Sequence, residues 1–237
     1  MSNSANGSDK AREPSRPRIL LRLMAFVLIL TAILFIAAGR LDWVMGWIYM
    51  AMYACVTAIA VFAVPLDREL IEERTQIKEG VKQWDKRITL IGSVLYPLAI
   101  LIVAGLDTRK GWSPRFPLTL QFAALAVAAV GNLTSIWATA VNKFYARFVR
   151  IQKERGHFVI SDGPYRYVRH PGYLGQIIFS PASALALGSL WALIPGSLFA
   201  VLLVVRTALE DQTLQDELEG YKEYTRRVRH RLIPHIW

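Results

Sequence analysis

Long apolar stretches alternate with short charged stretches along the chain. Four of the apolar stretches are each close to the ~20 residues that a helix needs to cross ~30 Å of hydrocarbon. They lie at about 19–39, 43–65, 88–106 and 117–141. The pattern predicts four membrane-spanning helices in this part of the chain.

A fifth apolar stretch, at about 173–205, is too long for a single crossing. It is interrupted by Gly188-Ser189 and by Pro195-Gly196, and both pairs favour a break in a helix. Two short helices in a tight hairpin would satisfy the backbone groups of both arms. The chain is therefore predicted to cross the membrane about six times, with five crossings as the alternative.

The composition supports an all-α polytopic membrane helix bundle rather than a soluble domain. Hydrophobic residues make up 54% of the 237 residues and charged residues only 19%, and the charges are concentrated between the apolar stretches. The chain divides into three parts on this basis. They are a polar tail at 1–17, expected to be disordered and cytoplasmic, N-terminal transmembrane helices at 18–141, and a C-terminal region at 142–237 with a helical hairpin and an amphipathic tail.

The distribution of Lys and Arg predicts the orientation of the helices. The tail before the first apolar stretch carries four of these residues, and the segments 66–87, 142–172 and 206–237 carry six, seven and six. The other turns hold far fewer. Both termini and the three basic segments are therefore expected to face the cytoplasm and its anionic lipid headgroups. Because topology accounts for the net charge of +10, nucleic acid is not expected as a partner.

Three further features have structural interpretations. The segment 66–87 mixes acidic and basic residues, which predicts a solvated helix with ion pairs between residues four apart. Residues 219–228 are amphipathic and basic, and they are expected to lie along the membrane interface. Cys55 is the single cysteine, which excludes a disulfide within the chain and makes a thiolate metal site implausible.

The most distinctive polar stretch, at 161–173, reads Ser-Asp-Gly-Pro-Tyr-Arg-Tyr-Val-Arg-His-Pro-Gly-Tyr. A residue before proline avoids the α region, and proline suits the first turn of a helix. A helix is therefore predicted to begin at Pro171, with His170 beside its N-terminus. Free backbone N–H groups and the positive end of the helix dipole would make this a site for a carboxylate or phosphate.

Arg206 and Glu210 follow the last apolar stretch, and their spacing places them on one face of a helix. An ionisable pair at the end of a membrane bundle is more often tied to function than to stability. The sequence has no glycine-rich nucleotide-binding motif, no P-loop and no Gly-x-Ser-x-Gly motif. It also has no His/Cys cluster with metal-ligand spacing, so no metal is expected.

The stretch from Gln152 to Pro234 resembles the isoprenylcysteine carboxyl methyltransferase family, within the integral-membrane methyltransferases that include phospholipid methyltransferases. The resemblance rests on Gly-Pro-Tyr-Arg-Tyr-Val-Arg-His-Pro-Gly-Tyr at 163–173, on Arg206-x-x-x-Glu210-Asp211-x-x-Leu214, and on Tyr221-x-x-Tyr224-x-x-Arg227-Val228. It implies S-adenosyl-L-methionine as cofactor, bound without a Rossmann fold in a cytoplasmic C-terminal site. It also implies a lipidic or lipid-modified methyl acceptor.

The resemblance further implies which residues form the site. The expected cofactor contacts are Gln152, His157, Phe158, Val159, Ile160, Tyr165, His170, Pro171, Gly172, Tyr173 and Glu210. Arg206 is expected to bind the substrate, and Arg206 and Glu210 are the expected catalytic residues. Asp211 stands where the family more usually has a second glutamate, and its shorter reach leaves it outside the expected core site.

The reaction that these residues suggest is direct methyl transfer to a carboxylate. A carboxylate is ionised at neutral pH, so it needs desolvation, alignment and a counter-charge rather than a general base. Arg206 can supply the counter-charge through a bidentate contact with the carboxylate. Glu210 can hold the ammonium or a ribose hydroxyl of the cofactor, and Tyr165 and Tyr173 can face the adenine or the sulfonium.

Other functions stay open at this point. A phospholipid or small-amine acceptor would keep the cofactor but would need a base or a shifted pKa. A membrane scaffold or carrier would not be an enzyme, and a reductase using a nicotinamide cofactor is a further alternative because some sterol reductases have similar C-terminal halves. The short tail, single cysteine and basic balance suit a bacterial inner membrane, where prenylated proteins are not expected as substrates.

Overall fold

A computed structural model describes residues 15–65, 68–90, 92, 95–234 and 236–237 of the chain. Over these residues the regular secondary structure is helical and includes no β-strand, which confirms the predicted all-α class. Most of the polar tail that was predicted to be disordered lies outside the described residues.

Nine α-helices follow one another along the described part of the chain. They are α1 (Arg16–Ala38), α2 (Val44–Ala63), α3 (Arg68–Thr75), α4 (Gln83–Leu90), α5 (Tyr96–Lys110), α6 (Leu118–Val141), α7 (Pro171–Ala186), α8 (Leu193–Glu217) and α9 (Tyr221–Arg227). Two short 3₁₀ helices, Lys153–Arg155 and Gly163–Arg166, lie in the connection between α6 and α7.

Four helices, α1, α2, α6 and α8, are long and apolar enough to cross a membrane. Large apolar side chains such as Ile36 and Leu198 are exposed on their outer faces, and such surfaces are stable in lipid rather than in water. The chain is an integral membrane protein. Helices α5 and α7 have only 15 and 16 residues, fewer than the ~20 of a full crossing.

Two of the predicted apolar stretches fold with different boundaries. Residues 88–90 of the stretch predicted at 88–106 belong to α4, and α5 runs from Tyr96, with Pro97 in its first turn, to Lys110. The turn of the hairpin forms at Gly188, whose φ of 70° suits glycine. Pro195 does not interrupt the helix, because it lies in the first turn of α8, where proline is tolerated. Helix α8 is therefore a long helix of 25 residues rather than a short one.

The most extensive contact between helices joins α6 and α7. A Cβ atom added to Gly175 would lie 2.3 Å from the carbonyl oxygen of Gly131, and one added to Gly131 would lie 2.6 Å from that of Gly175. Small residues commonly allow such close backbone contact between membrane helices. The Ser135 hydroxyl donates to the Gly172 carbonyl at 2.8 Å, which fixes the first turn of α7 against α6.

The hydrophobic core lies among α1, α2, α5, α6 and α7, where Leu34, Ala104 and Ala184 are fully buried. Asp107 holds the hairpin turn at the C-terminal end of α5. Its carboxylate is 2% exposed and accepts hydrogen bonds from the Ser113 N–H at 2.7 Å and from the hydroxyls of Ser113 and Ser189. The first turn of α7 lies at the other end of the bundle, because α7 runs from one end to the other.

Asp211, in α8, anchors the C-terminal segment of the chain. Its carboxylate is fully buried and accepts hydrogen bonds from Arg169 Nε at 2.7 Å and Nη2 at 3.1 Å. Arg231 Nε donates to the same carboxylate at 2.8 Å, and the Tyr221 hydroxyl donates to it at 3.0 Å. Asp211 therefore joins α8 to the residues before α7 and to the end of the chain.

Backbone hydrogen bonds and apolar contacts extend this connection. The N–H groups of Arg169 and His170 donate to the carbonyls of His230 and Arg231, both at 2.9 Å. Helix α9 packs its apolar side chains into a small buried cluster formed by Leu218, Tyr221, Tyr224 and Val228. The amphipathic stretch 219–228 thus buries apolar side chains in the protein, because the polar network brings this stretch back onto α8. Its position along the membrane interface stays a prediction.

The charged segment 66–87 also differs from the prediction of a solvated helix. Its described residues include α3 and the first part of α4, and two of its acidic residues are buried: Glu73 is 3% exposed and Asp85 is 0% exposed. Glu73 pairs with Arg150 Nη2 at 2.7 Å, and Asp85 accepts a hydrogen bond from the Val149 N–H at 2.7 Å. These charges have partners far along the chain, because the segment packs against the connection between α6 and α7.

We expect Gly175→Val to destabilise the protein by about 3 kcal/mol or more, because the added side chain collides with the backbone of α6. Thermal unfolding of the detergent-solubilised protein measures the change. Gly111→Asn is the control, since that site is open and its φ of 66° is one that asparagine tolerates. Equal unfolding temperatures for the two variants would contradict the close contact.

We expect Asp211→Asn to cost about 3–5 kcal/mol, because Arg169 and Arg231 lose the charge that compensates them. Limited proteolysis should then cleave the segment after α8 more readily. Asp162→Asn is the matched control, since its pair with Arg166 is exposed and its loss should cost less than about 1 kcal/mol. A proteolysis pattern unchanged in Asp211→Asn would show that the network does not hold the C-terminal segment.

Candidate functional site

Two cavities meet where α7 begins and α8 approaches its C-terminal end. The first is a cleft of about 90 Å³ between the 142–173 connection, α8 and α9. The second, of about 320 Å³, lies among α1, α2, α4, α5, α6, α7 and α8. Tyr145, Ala146 and Tyr173 line both cavities. Ligands held in the two cavities would therefore meet at these three residues.

Most of the residues expected to contact a cofactor are brought together in the first cleft. Nine of the eleven line it: His157, Phe158, Val159, Ile160, Tyr165, His170, Gly172, Tyr173 and Glu210. They come from the connection before α7, from the start of α7 and from α8. The cleft is thus formed by stretches that are distant in sequence.

The other two expected contacts, Gln152 and Pro171, are not among the residues that line the cleft. Gln152 is 1% exposed, and its side-chain Nε2 donates to the Phe144 carbonyl at 2.8 Å while its oxygen accepts from Arg155. Its amide group therefore holds the connection behind the cleft wall. Pro171 is the first residue of α7, which confirms the predicted start of that helix.

The Nε2 atom of the His170 ring faces the buried carboxylate of Asp211. This atom lies 3.2 Å from Asp211 Oδ1, and the His170 ring stacks on that of Tyr173 with a centroid distance of 5.8 Å. The His170 side chain does not cap α7. The first-turn N–H groups of a helix have no intrahelical partner, and Gly172 and Tyr173 line the cleft. Backbone groups, rather than the His170 imidazole, are therefore available there for an anion.

His157 forms part of the opposite wall. Its ring lies against Phe144 at a centroid distance of 4.4 Å, and its Nδ1 accepts a hydrogen bond from the Gln152 N–H at 3.3 Å. Burial, together with the nearby charges of Arg155 and Arg150, lowers the pKa of His157 from 6.5 to about 4. The imidazole is neutral at physiological pH, and because Nδ1 is the acceptor its proton is on Nε2.

Tyr173 lies between the two charged residues that the sequence singled out. Its hydroxyl donates to Glu210 Oε2, and the Arg206 guanidinium lies over its ring at 5.1 Å from the centroid. Arg206 and Glu210 therefore project from the same face of α8, as predicted. Glu210 lines the cleft, whereas Arg206 lines the larger cavity.

Asp85 is a site residue that the sequence did not reveal. Arg206 Nε and Nη2 donate to its two oxygens at 2.7 Å and 3.1 Å, and Nη2 also donates to the Arg147 carbonyl at 2.8 Å. The bidentate contact that was expected between Arg206 and a substrate is thus made with Asp85. Among the described residues Nη1 has no hydrogen-bond partner. An acidic residue at the edge of an apolar stretch was the available signal, since such a residue needs a partner.

Arg150 and Arg169 also line the cleft, although neither was among the expected cofactor contacts. Arg150 is 8% exposed and is held by Glu73 and Glu154, while Arg169 is held by Asp211. Both arginines carry charge-balancing partners, which keeps the cleft walls ordered. Among the described residues, no cluster of His, Cys, Asp and Glu could hold a metal ion.

The larger cavity is mostly apolar and aromatic. Tyr49, Tyr53, Tyr96, Phe179, Phe199 and Leu203 contribute to its walls. Arg206 and the exposed Arg147 lie at its polar end, beside Tyr173. Such a cavity suits a molecule with an apolar body and a polar head.

Known proteins resemble the part of the chain that forms this site. The model of the isoprenylcysteine carboxyl methyltransferase (ICMT) family matches residues 118–216, which run from α6 to the end of α8. Protein-S-isoprenylcysteine O-methyltransferase of Schizosaccharomyces pombe is 24% identical over 121 residues, which are 46% of this chain and 51% of that protein. A Delta(14)-sterol reductase of Mus musculus is 38% identical over 86 residues, 35% of this chain and 20% of that protein.

The chain thus matches about half of the fission yeast enzyme and one fifth of the mouse reductase. The family match includes both 163–173 and the pair Arg206 and Glu210, which contribute residues to the walls of the two cavities. The resemblance to the isoprenylcysteine carboxyl methyltransferase family that these motifs indicated is therefore confirmed over residues 118–216.

Proposed function

We propose that the chain is an S-adenosyl-L-methionine-dependent membrane methyltransferase that methylates the carboxylate of an isoprenylcysteine-like or other lipidic acceptor. The observation that carries this proposal is the meeting of a polar cleft and an apolar cavity at Tyr145, Ala146 and Tyr173. Transfer between two bound molecules requires such a junction, where their reacting atoms can be aligned. The family match over residues 118–216 supports it.

The groups that line the cleft fit S-adenosyl-L-methionine. When bound, this cofactor supplies an electrophilic methyl group on a sulfonium. The first-turn N–H groups of α7 suit its carboxylate, and Glu210 suits its ammonium or a ribose hydroxyl. Tyr165 and Tyr173 offer aromatic faces to the adenine or the sulfonium. Gln152 and Pro171 would support these contacts from behind the wall.

The volume of the cleft is smaller than that of most ligand sites. Its volume of about 90 Å³ is below the range of about 300–1,000 Å³ typical of ligand pockets. Binding of the cofactor therefore has to widen it. Phe158, at its wall, is 50% exposed, and an outward rotation of its ring away from Phe144 would widen the cleft.

The larger cavity suits the acceptor. Its apolar walls would hold the lipidic part, and Arg206 Nη1 with Arg147 would face the carboxylate at the junction. Asp85 orients Arg206 by occupying its Nε and Nη2. A carboxylate is already ionised at neutral pH, so these residues need to orient and desolvate it but not to remove a proton.

An amine acceptor, in a phospholipid or a small molecule, is the second candidate. It is favoured by the ion pair between Arg206 and Asp85, which leaves the polar end of the cavity closer to neutral than an unpaired arginine would. A protonated amine would have to lose its proton before transfer. The two candidates share the cofactor and differ in the bond that is formed.

The proposed topology has six crossings, with both termini and the site at the cytoplasmic face of a bacterial inner membrane. Helices α5 and α7 would be the two short crossings. The three basic segments support this arrangement, because they contact one another at one end of the bundle: 66–87 and 142–172 through Glu73 and Arg150, and 142–172 and 206–237 through Arg169 and Asp211. Lys and Arg concentrate on the cytoplasmic side of membrane proteins.

Purified protein with radiolabelled S-adenosyl-L-methionine and N-acetyl-S-farnesyl-L-cysteine is expected to form a methyl ester, which alkali releases as labelled methanol. Label that resists alkali in a lipid extract would instead identify the amine candidate.

Glu210→Ala should weaken cofactor binding about tenfold or more in calorimetry, since a charged hydrogen bond is lost. Exposed Glu223→Ala is the control. Absence of cofactor binding by the wild-type protein would refute the proposal.

The free energy of unfolding is expected to fall as the pH drops from about 6.5 toward 4, because the unfolded chain binds a proton at His157 that the folded protein does not bind. The folded-state pKa lies below the ordinary value, so the stability contributed by neutral His157 is complete above pH 6.5 and is lost progressively as the pH falls to about 4. His157→Gln should show a shallower pH dependence of the unfolding temperature over this range in the detergent-solubilised protein. An identical profile in the variant would exclude His157 as its source.

A further inference from the structure

Thr89, in α4, has a buried hydroxyl that lacks a hydrogen-bond partner in the part of the chain that the structure describes. The residue is 5% exposed. Among the described residues its Oγ1 is the buried side-chain polar atom that has neither donor nor acceptor. Burying a hydroxyl without a bond is costly, so such an atom in a folded protein calls for an explanation.

Threonine in a helix ordinarily solves this problem within its own helix. Its hydroxyl can donate to the carbonyl four residues earlier. Seven helical threonines of this chain do so: Thr31, Thr57, Thr75, Thr134, Thr139, Thr207 and Thr213. Thr89 does not make this bond, so its hydroxyl remains available to another molecule.

The position of Thr89 connects it to the acceptor cavity. It lines the cavity of about 320 Å³ together with its neighbours Ile88 and Gly92. Asp85, which holds Arg206, lies one helical turn earlier on the same face of α4. Thr89 and Arg206 therefore both line the cavity on the side where α4 meets α8.

We propose that the Thr89 hydroxyl donates a hydrogen bond to the polar head of the methyl acceptor, beside Arg206 Nη1. This inference rests on the proposed role of the larger cavity as the acceptor site. Asp85 occupies Nε and Nη2 of Arg206, so this arginine is left with one amino group for a ligand. A carboxylate has two oxygens that can each accept more than one hydrogen bond, and Thr89 supplies a donor in addition to Arg206 Nη1 and Arg147. The acceptor class is thus an amphiphile with a carboxylate head and an apolar body.

The test compares Thr89→Val, which keeps the shape and removes the hydroxyl, with Thr89→Ser, which keeps the hydroxyl. The full chain in detergent is titrated with N-acetyl-S-farnesyl-L-cysteine. Thr89→Val should bind the probe about tenfold more weakly, and Thr89→Ser within about twofold of wild type. Thr57→Val is the matched control, because that hydroxyl is already bonded to the Tyr53 carbonyl and lies outside both cavities.

Thermal unfolding without the probe separates this role from a structural one. Thr89→Val should unfold at the wild-type temperature or above it, because the variant loses an unpaired buried hydroxyl. A lower unfolding temperature for Thr89→Val than for Thr89→Ser would overturn the proposal, and so would equal affinity of Thr89→Val and wild type for the probe. Absence of probe binding by the wild type would overturn it as well.

The same titration distinguishes failure of the enzymatic proposal. If the probe binds and the Thr89→Val difference holds but no methyl group is transferred, the proposed function fails and the role of Thr89 in binding the amphiphile stands. If methyl transfer proceeds in Thr89→Val with an unchanged KM for the probe, the function stands and the role of Thr89 fails.

Discussion

The buried carboxylate of Asp211 is the interaction on which the site depends. Removing a carboxylate and its arginine partners from water is costly, and the cost is offset only when every charged group is well bonded. Asp211 meets this condition with Arg169, Arg231 and Tyr221. Since these partners come from before α7 and from the end of the chain, their bonds place both stretches on α8. The cleft is the space that this network leaves open.

Asp85 and Glu73 have the same role on the other side of the cleft. They join α4 and α3 to Arg206 and Arg150, and so connect the charged segment after α2 to the walls of both cavities. Burial of apolar side chains hardly favours one arrangement of membrane helices over another, because the lipid tails are as apolar as the side chains of a neighbouring helix. Buried ion pairs and close backbone contacts, such as that of Gly131 with Gly175, therefore select the arrangement.

Local rules were sufficient for several features of the site. The start of α7 follows from the backbone preference of the residue before Pro171, and the common face of Arg206 and Glu210 follows from helical periodicity. Partners distant in sequence were not predictable in this way. Asp85 is 121 residues from Arg206, and Glu73 is 77 residues from Arg150. A charge pattern with i,i+4 spacing suggested local pairs for this segment, but burial made the distant partners necessary.

The amino-acid sequence by itself determined the membrane class, most helix positions and the concentration of positive charge, because hydrophobic length, proline and helical spacing act locally. The residues expected at the cleft came from the resemblance of the motifs to the isoprenylcysteine carboxyl methyltransferase family. Only the tertiary structure decided that the bidentate contact of Arg206 is made with Asp85, that Asp211 joins three stretches, and that the Thr89 hydroxyl has no hydrogen-bond partner among the described residues. The physical reason is that a buried polar group is satisfied by whatever the fold brings within about 3 Å, and that neighbour is set by long-range packing.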